Sequence, residues 1–180
     1  MQKRLIGDKN IFAIEYAFLD GSHDTEISMY IYGKNILAFE RNGKALTTRW
    51  NLDELAEWLR QFLNTMAEDP FPVDCEGQYA AQKDDIARSF DSDNDKLFDA
   101  YYDKLYDWNL CHRWHPASSG AILADVYFQL VGDHVEISWN NEGLEDGVRF
   151  LNLNSGAAIS RRLFYSVICR FLEEYASHWS

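Results

Sequence analysis

Cys111, His112 and His115 bring three metal-capable side chains together in the run Cys-His-Arg-Trp-His. Zinc takes such donors, four in a closed structural site and three in a catalytic one that keeps a place for water. The chain has neither a CxxC nor an HExxH motif to supply the remaining ligands. Pro116 and Gly120 mark the run as a loop, so we read His112 as a local hydrogen-bonding group. Asp91, Asp93 and Asp95 have the spacing of the first three ligands of a calcium loop, with Asp99 at the ninth position. Lys96 stands where the sharp turn needs glycine, and Tyr102 where a bidentate glutamate is needed. These aspartates are therefore expected to cap a helix and meet solvent. No metal, cofactor or catalytic residue is assigned.

Asp125 and Glu136 face each other across two strands, an arrangement that can hold magnesium in nuclease hairpins. The triplet Glu136-Ile137-Ser138 lacks the lysine that such chemistry uses to activate water. No Gly-x-Ser-x-Gly elbow, P-loop or Gly-x-Gly-x-x-Gly occurs. A hydrolytic site would have to be assembled from His112, His115, Asp125 and Glu136, and it requires those four to converge in one pocket.

The stretch that would position these groups is Ile122 to Trp139. Gly132-Asp133 is a two-residue turn signal between alternating runs. Pairing Val131 with His134 puts Leu130, Phe128 and Val126 opposite Val135, Ile137 and Trp139 on one apolar face. Gln129 with Glu136 and Tyr127 with Ser138 form the other, polar face, with Asp125 near Asn140. A one-residue slip would set apolar against polar, so the register is well specified.

Upstream, Ile11–Leu19, Thr25–Tyr32, Ile36–Arg41 and Lys44–Trp50 read as a four-stranded antiparallel meander, the last two flanking Asn42-Gly43. Asn51 is the expected N-cap of a helix, with Glu54 placed for a capping box and Trp50 and Leu55 for a staple. Its stripe is Leu52, Leu55, Leu59, Phe62, Leu63 and Met66. Tyr79–Phe90 is a weak helix. Leu97–Trp108 is a better one, and Cys111–Gly120 is loop. Val148–Leu153 is a short strand, and Asn154 or Ser155 caps a last helix from about Ala157 to Ala176. The class is α+β, as a single domain over 1–180: meander plus helix 11–66, an acidic helical middle 68–110, and hairpin, strand and C-terminal helix 120–177.

At 180 residues one domain is the default, and 15% aromatic content favours a packed core or a binding surface over disorder. Net charge is −12. From Glu68 to Asp107, twelve acids face four bases, a net −8. Direct nucleic-acid binding is disfavoured, since phosphate neutralisation needs clustered Lys and Arg. A basic protein partner is compatible. No apolar run approaches a membrane span, and nothing after Lys3-Arg4 reads as a signal peptide. Three widely spaced cysteines fit reduced thiols in a cytoplasm.

Leu55, Glu57 and Trp58 within Trp50–Phe62, then His112, Ala117, Gly120 and Asp125, then the Gly-x-x-Val-Glu-x-Ser-Trp run ending at Trp139, carry a resemblance to a family. The chain resembles the N-terminal accessory region that precedes the zincin in some bacterial ImmA/IrrE-family metallopeptidases. Ala124 departs from the Pro that this pattern tends to have before the Asp, and Arg113-Trp114-His115 departs from its polar-apolar-Arg. The zincin motif is absent, so the protease activity does not carry over. The resemblance implies a stand-alone accessory or sensing domain of prokaryotic stress, toxin–antitoxin or defence systems.

Three functions follow as expectations. The first is a non-enzymatic, protein-binding accessory or regulatory component. Its candidate interface is Trp108, His112, Arg113, Trp114 and His115 beside the hairpin's polar face of Asp125, Gln129 and Glu136, since Trp and Arg dominate interface hot spots. The second is an acidic nucleic-acid-mimicking inhibitor or immunity protein that blocks a basic nucleic-acid-binding protein. It requires carboxylates spaced along one exposed ridge. The third is the converging hydrolase site above.

Overall fold

Period-two alternation dominates this chain, and it produces more strands than the sequence reading expects. The computed structural model describes residues 3–19, 24–66, 69–114, 122–143 and 147–178. In chain order the elements are β1 (Arg4–Asp8), β2 (Phe12–Phe18), β3 (Asp24–Ile31), β4 (Lys34–Asn35), β5 (Phe39–Arg41), β6 (Lys44–Leu46), β7 (Thr48–Asn51), α1 (Leu52–Phe62), α2 (Ala80–Ala87), α3 (Asp95–His112), β8 (Arg113–Trp114), β9 (Val126–Val131), β10 (His134–Asn140), β11 (Val148–Phe150), β12 (Asn154–Ser160) and α4 (Arg161–His178). Every pairing among them is antiparallel, and the fold is α+β. No helix among the described residues is long and apolar enough to cross a membrane.

The first fifty residues do not form one meander. β1, unforeseen, adds an edge to β2, and β4 and β7 both pair with β3. The Asn42-Gly43 hairpin does form, with φ of +53° and +72° at its two turn residues, as a type I′ turn needs. Yet β5 and β6 join β11 in a separate three-stranded sheet. The cause lies at Ile36 and Leu37, which are fully buried outside any strand. The buried Thr48 hydroxyl donates to the Leu37 carbonyl at 2.8 Å, so the chain leaves the β3 edge and returns to it as β7.

The third sheet runs β12–β10–β9–β8. Its central hairpin has the register written in its sequence: Val131 with His134, Leu130 with Val135, Gln129 with Glu136, Phe128 with Ile137, Tyr127 with Ser138 and Val126 with Trp139. Gly132 takes φ +63°, the positive value that the first central position of a II′ turn requires. Two expectations fail at its flanks. The loop expected from Cys111 is helix to His112 and then β8, paired through Arg113 with Tyr127 and Trp114 with Val126. The last helix starts at Arg161, not Ala157, because Asn154–Ser160 pairs along the whole of β10. Alternation of buried Ala157 and Ile159 with exposed Ala158 and Ser160 overrides the helical pattern there.

One large buried cluster draws on strands of all three sheets and on α1 and α4. Phe164 of α4 packs on Phe12 of β2 (5.5 Å between centroids) and on Phe128 of β9 (5.7 Å), so one ring touches two sheets. The α1 stripe is buried at Leu52, Leu55, Leu59, Leu63 and Met66. Asn51 caps α1 by accepting from the Asp53 amide at 2.9 Å. Glu54 closes no capping box; it accepts from the Trp50 indole at 2.9 Å. Trp50 in turn lies 5.5 Å from Trp114. Trp114 is 3% exposed. Trp114→Ala is therefore expected to lower unfolding free energy by about 3–5 kcal/mol, the usual loss for a buried tryptophan, measured by urea denaturation.

Candidate functional site

The outer face of the hairpin sheet should be wet by its composition, and α2 covers it instead. Ala80, Ala81, Asp84 and Ala87 form the buried side of this helix. Small side chains let it sit close against β9 and β10. Its N-cap, Tyr79, offers no side-chain cap. The caps come from another element: Glu136 Oε1 accepts from the Ala80 amide at 2.7 Å, and Ser138 Oγ from the Ala81 amide at 3.1 Å. A carboxylate there satisfies an orphan donor and opposes the positive end of the helix. Tyr79 lies over Gly156 of β12, where an added Cβ would come within 2.4 Å of the ring.

Asp84 is the polar exception on that face, at 1% exposure. Its Oδ2 accepts from Arg88 Nε and from the Tyr127 hydroxyl, both at 2.7 Å, and its Oδ1 from Asn109 Nδ2 at 2.8 Å. The Tyr127 oxygen also lies 3.2 Å from Asp125 Oδ2. With one proton to give, it serves the nearer Asp84. Asp125 is held by the fork of Arg113, through Nε and through Nη2 at 2.9 Å. Burial pushes the Asp125 carboxyl above its ordinary range against the pull of Arg113. It pushes the Tyr127 phenol strongly upward too, aided by both carboxylates. All four carboxylate oxygens already accept, so the group Arg88–Asp84–Tyr127–Asp125–Arg113 acts as a clamp and holds no open acid or base.

The structure turns most residues of the candidate interface read from the sequence toward the interior. Trp108 (5% exposed), His112 (1%), Trp114 (3%) and Gln129 (8%) are buried. Arg113, Asp125 and Glu136 are turned inward onto the partners above. His115 lies outside the described residues. His112 stacks on Trp108 at 4.2 Å and 7° and donates from Nδ1 to the Trp108 carbonyl at 2.9 Å. Its Nε2 is a buried nitrogen with no protein partner among the described residues. No hydrogen bond joins His112, Asp125 and Glu136, and no group of three His, Cys, Asp or Glu suited to a metal occurs among the described residues. The Asp91–Asp95 run is exposed apart from Ser92, with Asn94 capping α3 through the Leu97 amide at 3.3 Å.

What the molecule does present is α3. Leu105, Trp108 and His112 are its buried residues, while Leu97 is 54% exposed. Phe98, Tyr106 and Leu110 are 37%, 64% and 40% exposed. With half-buried Tyr102 they form a stripe at four-residue intervals, one residue behind exposed Asp99, Asp103 and Asp107. Beside the stripe a groove of about 350 Å³ is floored by Leu105 and Leu110, walled by Tyr102, Tyr106 and Asn109, and edged by Arg88 and Arg113. The Tyr102 hydroxyl lies 2.9 and 3.0 Å from the Arg88 and Phe90 carbonyls, which fixes that wall.

Sequence reasoning missed Asp84, Arg88, Asn109 and the outward face of α3. The signals were present: an acid four residues before Arg88 on a helix of alanines, and Phe-Asp, Tyr-Asp, Tyr-Asp repeated every turn. Compared with protein families, characterised proteins and solved structures, the chain matches none of them.

Asp84→Ala strands three donors and is expected to cost roughly 3–5 kcal/mol, against roughly 1–3 for Tyr127→Phe. Equal, negligible losses in chemical denaturation would remove the clamp from this account. A second expectation concerns pH. Burial holds His112 below its ordinary 6.5. The unfolded chain takes up a proton that the folded one refuses, so this contribution is full above pH 6.5 and is lost as pH falls below it. The drop in unfolding free energy between about pH 7.5 and about pH 5.5 should therefore be smaller in His112→Gln than in the parent.

Proposed function

We propose that this chain is a non-enzymatic, protein-binding component that docks a basic partner on the outward face of α3. One observation carries the reading: exposed aromatic and aliphatic side chains recur every turn beside a parallel row of exposed aspartates. Rings left in water on a rigid helix are the side chains that bind when a partner desolvates them. The aspartates beside them favour Lys and Arg, and they steer encounter. The clamp supports the non-enzymatic part, since its carboxylates serve α2 and β8. A role as an accessory or regulatory part of a prokaryotic defence or toxin–antitoxin-type system rests on the resemblance carried by Trp50–Phe62 and His112–Trp139, and a cytoplasmic setting on the three widely spaced cysteines.

A second reading has its own observation. Asp95, Asp99, Asp103 and Asp107 are all exposed and follow one another at single-turn intervals, a rise of about 6 Å each. This is the ridge that an acidic mimic of nucleic acid needs. Lys96 and Lys104 share the helix and weaken the row, so protein docking through the aromatic stripe stands first.

The test is capture of partners by the tagged protein from its host, with two variants run in parallel. Tyr106→Ala with Leu110→Ala should abolish capture while stability stays within about 0.5 kcal/mol, as for exposed positions. Asp99→Asn with Asp103→Asn should weaken capture mainly at low salt, where the Debye length exceeds about 10 Å. Capture that survives the aromatic change but disappears with the acidic one, or with salt, selects the mimic. A partner indifferent to both pairs refutes docking on α3.

A further inference from the structure

We propose that the groove between α3 and the end of α2 binds a small organic carboxylate, its anionic group on Arg88 and Arg113 and its apolar body on Leu105, Leu110 and Tyr106. The groove, about 350 Å³, lies in the range of pockets that enclose small ligands. Two guanidinium groups edge it, and each is aimed from behind. Arg88 is held only through Nε, by the buried Asp84, so both of its terminal nitrogens lack a protein partner among the described residues. Arg113 spends Nε and Nη2 on Asp125 and keeps Nη1. The side chains remain 49% and 20% exposed, and both line the groove.

Guanidinium presents parallel donors that match the two oxygens of a carboxylate, and carboxylate backing removes the cost of ordering the side chain on binding. The charge count selects among anions. Asp84 and Asp125 already offset the two arginines, so an anion is drawn by the unused N–H donors rather than by net charge, and a dianion is disfavoured. The floor is apolar, which calls for a hydrocarbon or aromatic body. This inference does not rest on the docking reading, although both use Tyr106 and Leu110, and its test needs no partner protein.

The probes are 3-phenylpropionate, its neutral amide and phenyl phosphate, each titrated into the whole chain and followed by nitrogen–proton NMR. Saturable shifts of the Arg88 and Arg113 Nε–H signals and of the Leu105–Leu110 amides are expected with the carboxylate at millimolar concentration. The amide should bind roughly tenfold more weakly, the loss expected when a charge-assisted bond becomes a neutral one. Arg88→Gln should weaken the carboxylate by a similar factor, read in a variant whose amide spectrum shows the fold kept. Should that variant lose its fold, Arg88→Lys keeps the charge and lacks the fork, and it should also bind more weakly. Absence of saturable shifts up to about 20 mM, where even a fragment-strength site would show, overturns the site. Equal binding of carboxylate and amide overturns its anion selectivity. Tighter binding of phenyl phosphate overturns the monoanion assignment.

Discussion

A single buried carboxylate ties the outer half of this molecule together. A carboxyl group as buried as that of Asp84, at 1% exposure, would be untenable in a bare apolar setting. It is tolerable because three donors converge from three places: Arg88 at the C-cap of α2, Asn109 of α3 and Tyr127 of β9. Each of the three spends a donor on that carboxylate. The arrangement fixes where α2 lies on the sheet, how α3 is rotated, and hence which residues of α3 are left in water.

The hairpin sheet is consequently covered on both sides, by unlike means. Its inner face meets α1 and α4 through rings and aliphatic chains such as Phe128, Trp58 and Phe164. Its outer face meets α2 through alanines, amide caps and the clamp. Glu136 and Ser138 reach across to cap a helix whose own preceding residue cannot. Polar side chains on a strand are thus not by themselves a sign of a solvated face.

That is also where legibility in the sequence ends. The register of β9 and β10 was readable because each position had a partner of like polarity and the turn residues matched one hairpin type. The α1 stripe was readable because apolar residues follow a helical period. By contrast, α2 gave a poor stripe, since its buried side is alanine and aspartate, and no local pattern says that a carboxylate will find three donors across the fold. The end of the chain misled for a related reason. Asn154 and Ser155 are plausible helix caps, but the edge of β10 was open and pairing satisfied more backbone groups than an earlier helix start. The same holds for Trp108, His112 and Trp114, which look like binding residues by type and are claimed by long-range packing. The outward repeat on α3 was visible, but helical periodicity alone does not say which face a helix turns to its neighbours.

The two-residue strand β8 joins these halves through neighbouring side chains. In a strand, adjacent residues point to opposite faces. Arg113 therefore enters the clamp while Trp114 enters the main core beside Trp50. The two interiors are held in phase by the parity of a single position in the chain. Insertion or loss of one residue between α3 and β8 would exchange their roles, aiming an arginine at hydrocarbon and an indole at carboxylates. The spacing from Trp108 to Trp114 is therefore as much a part of the fold as the residues themselves.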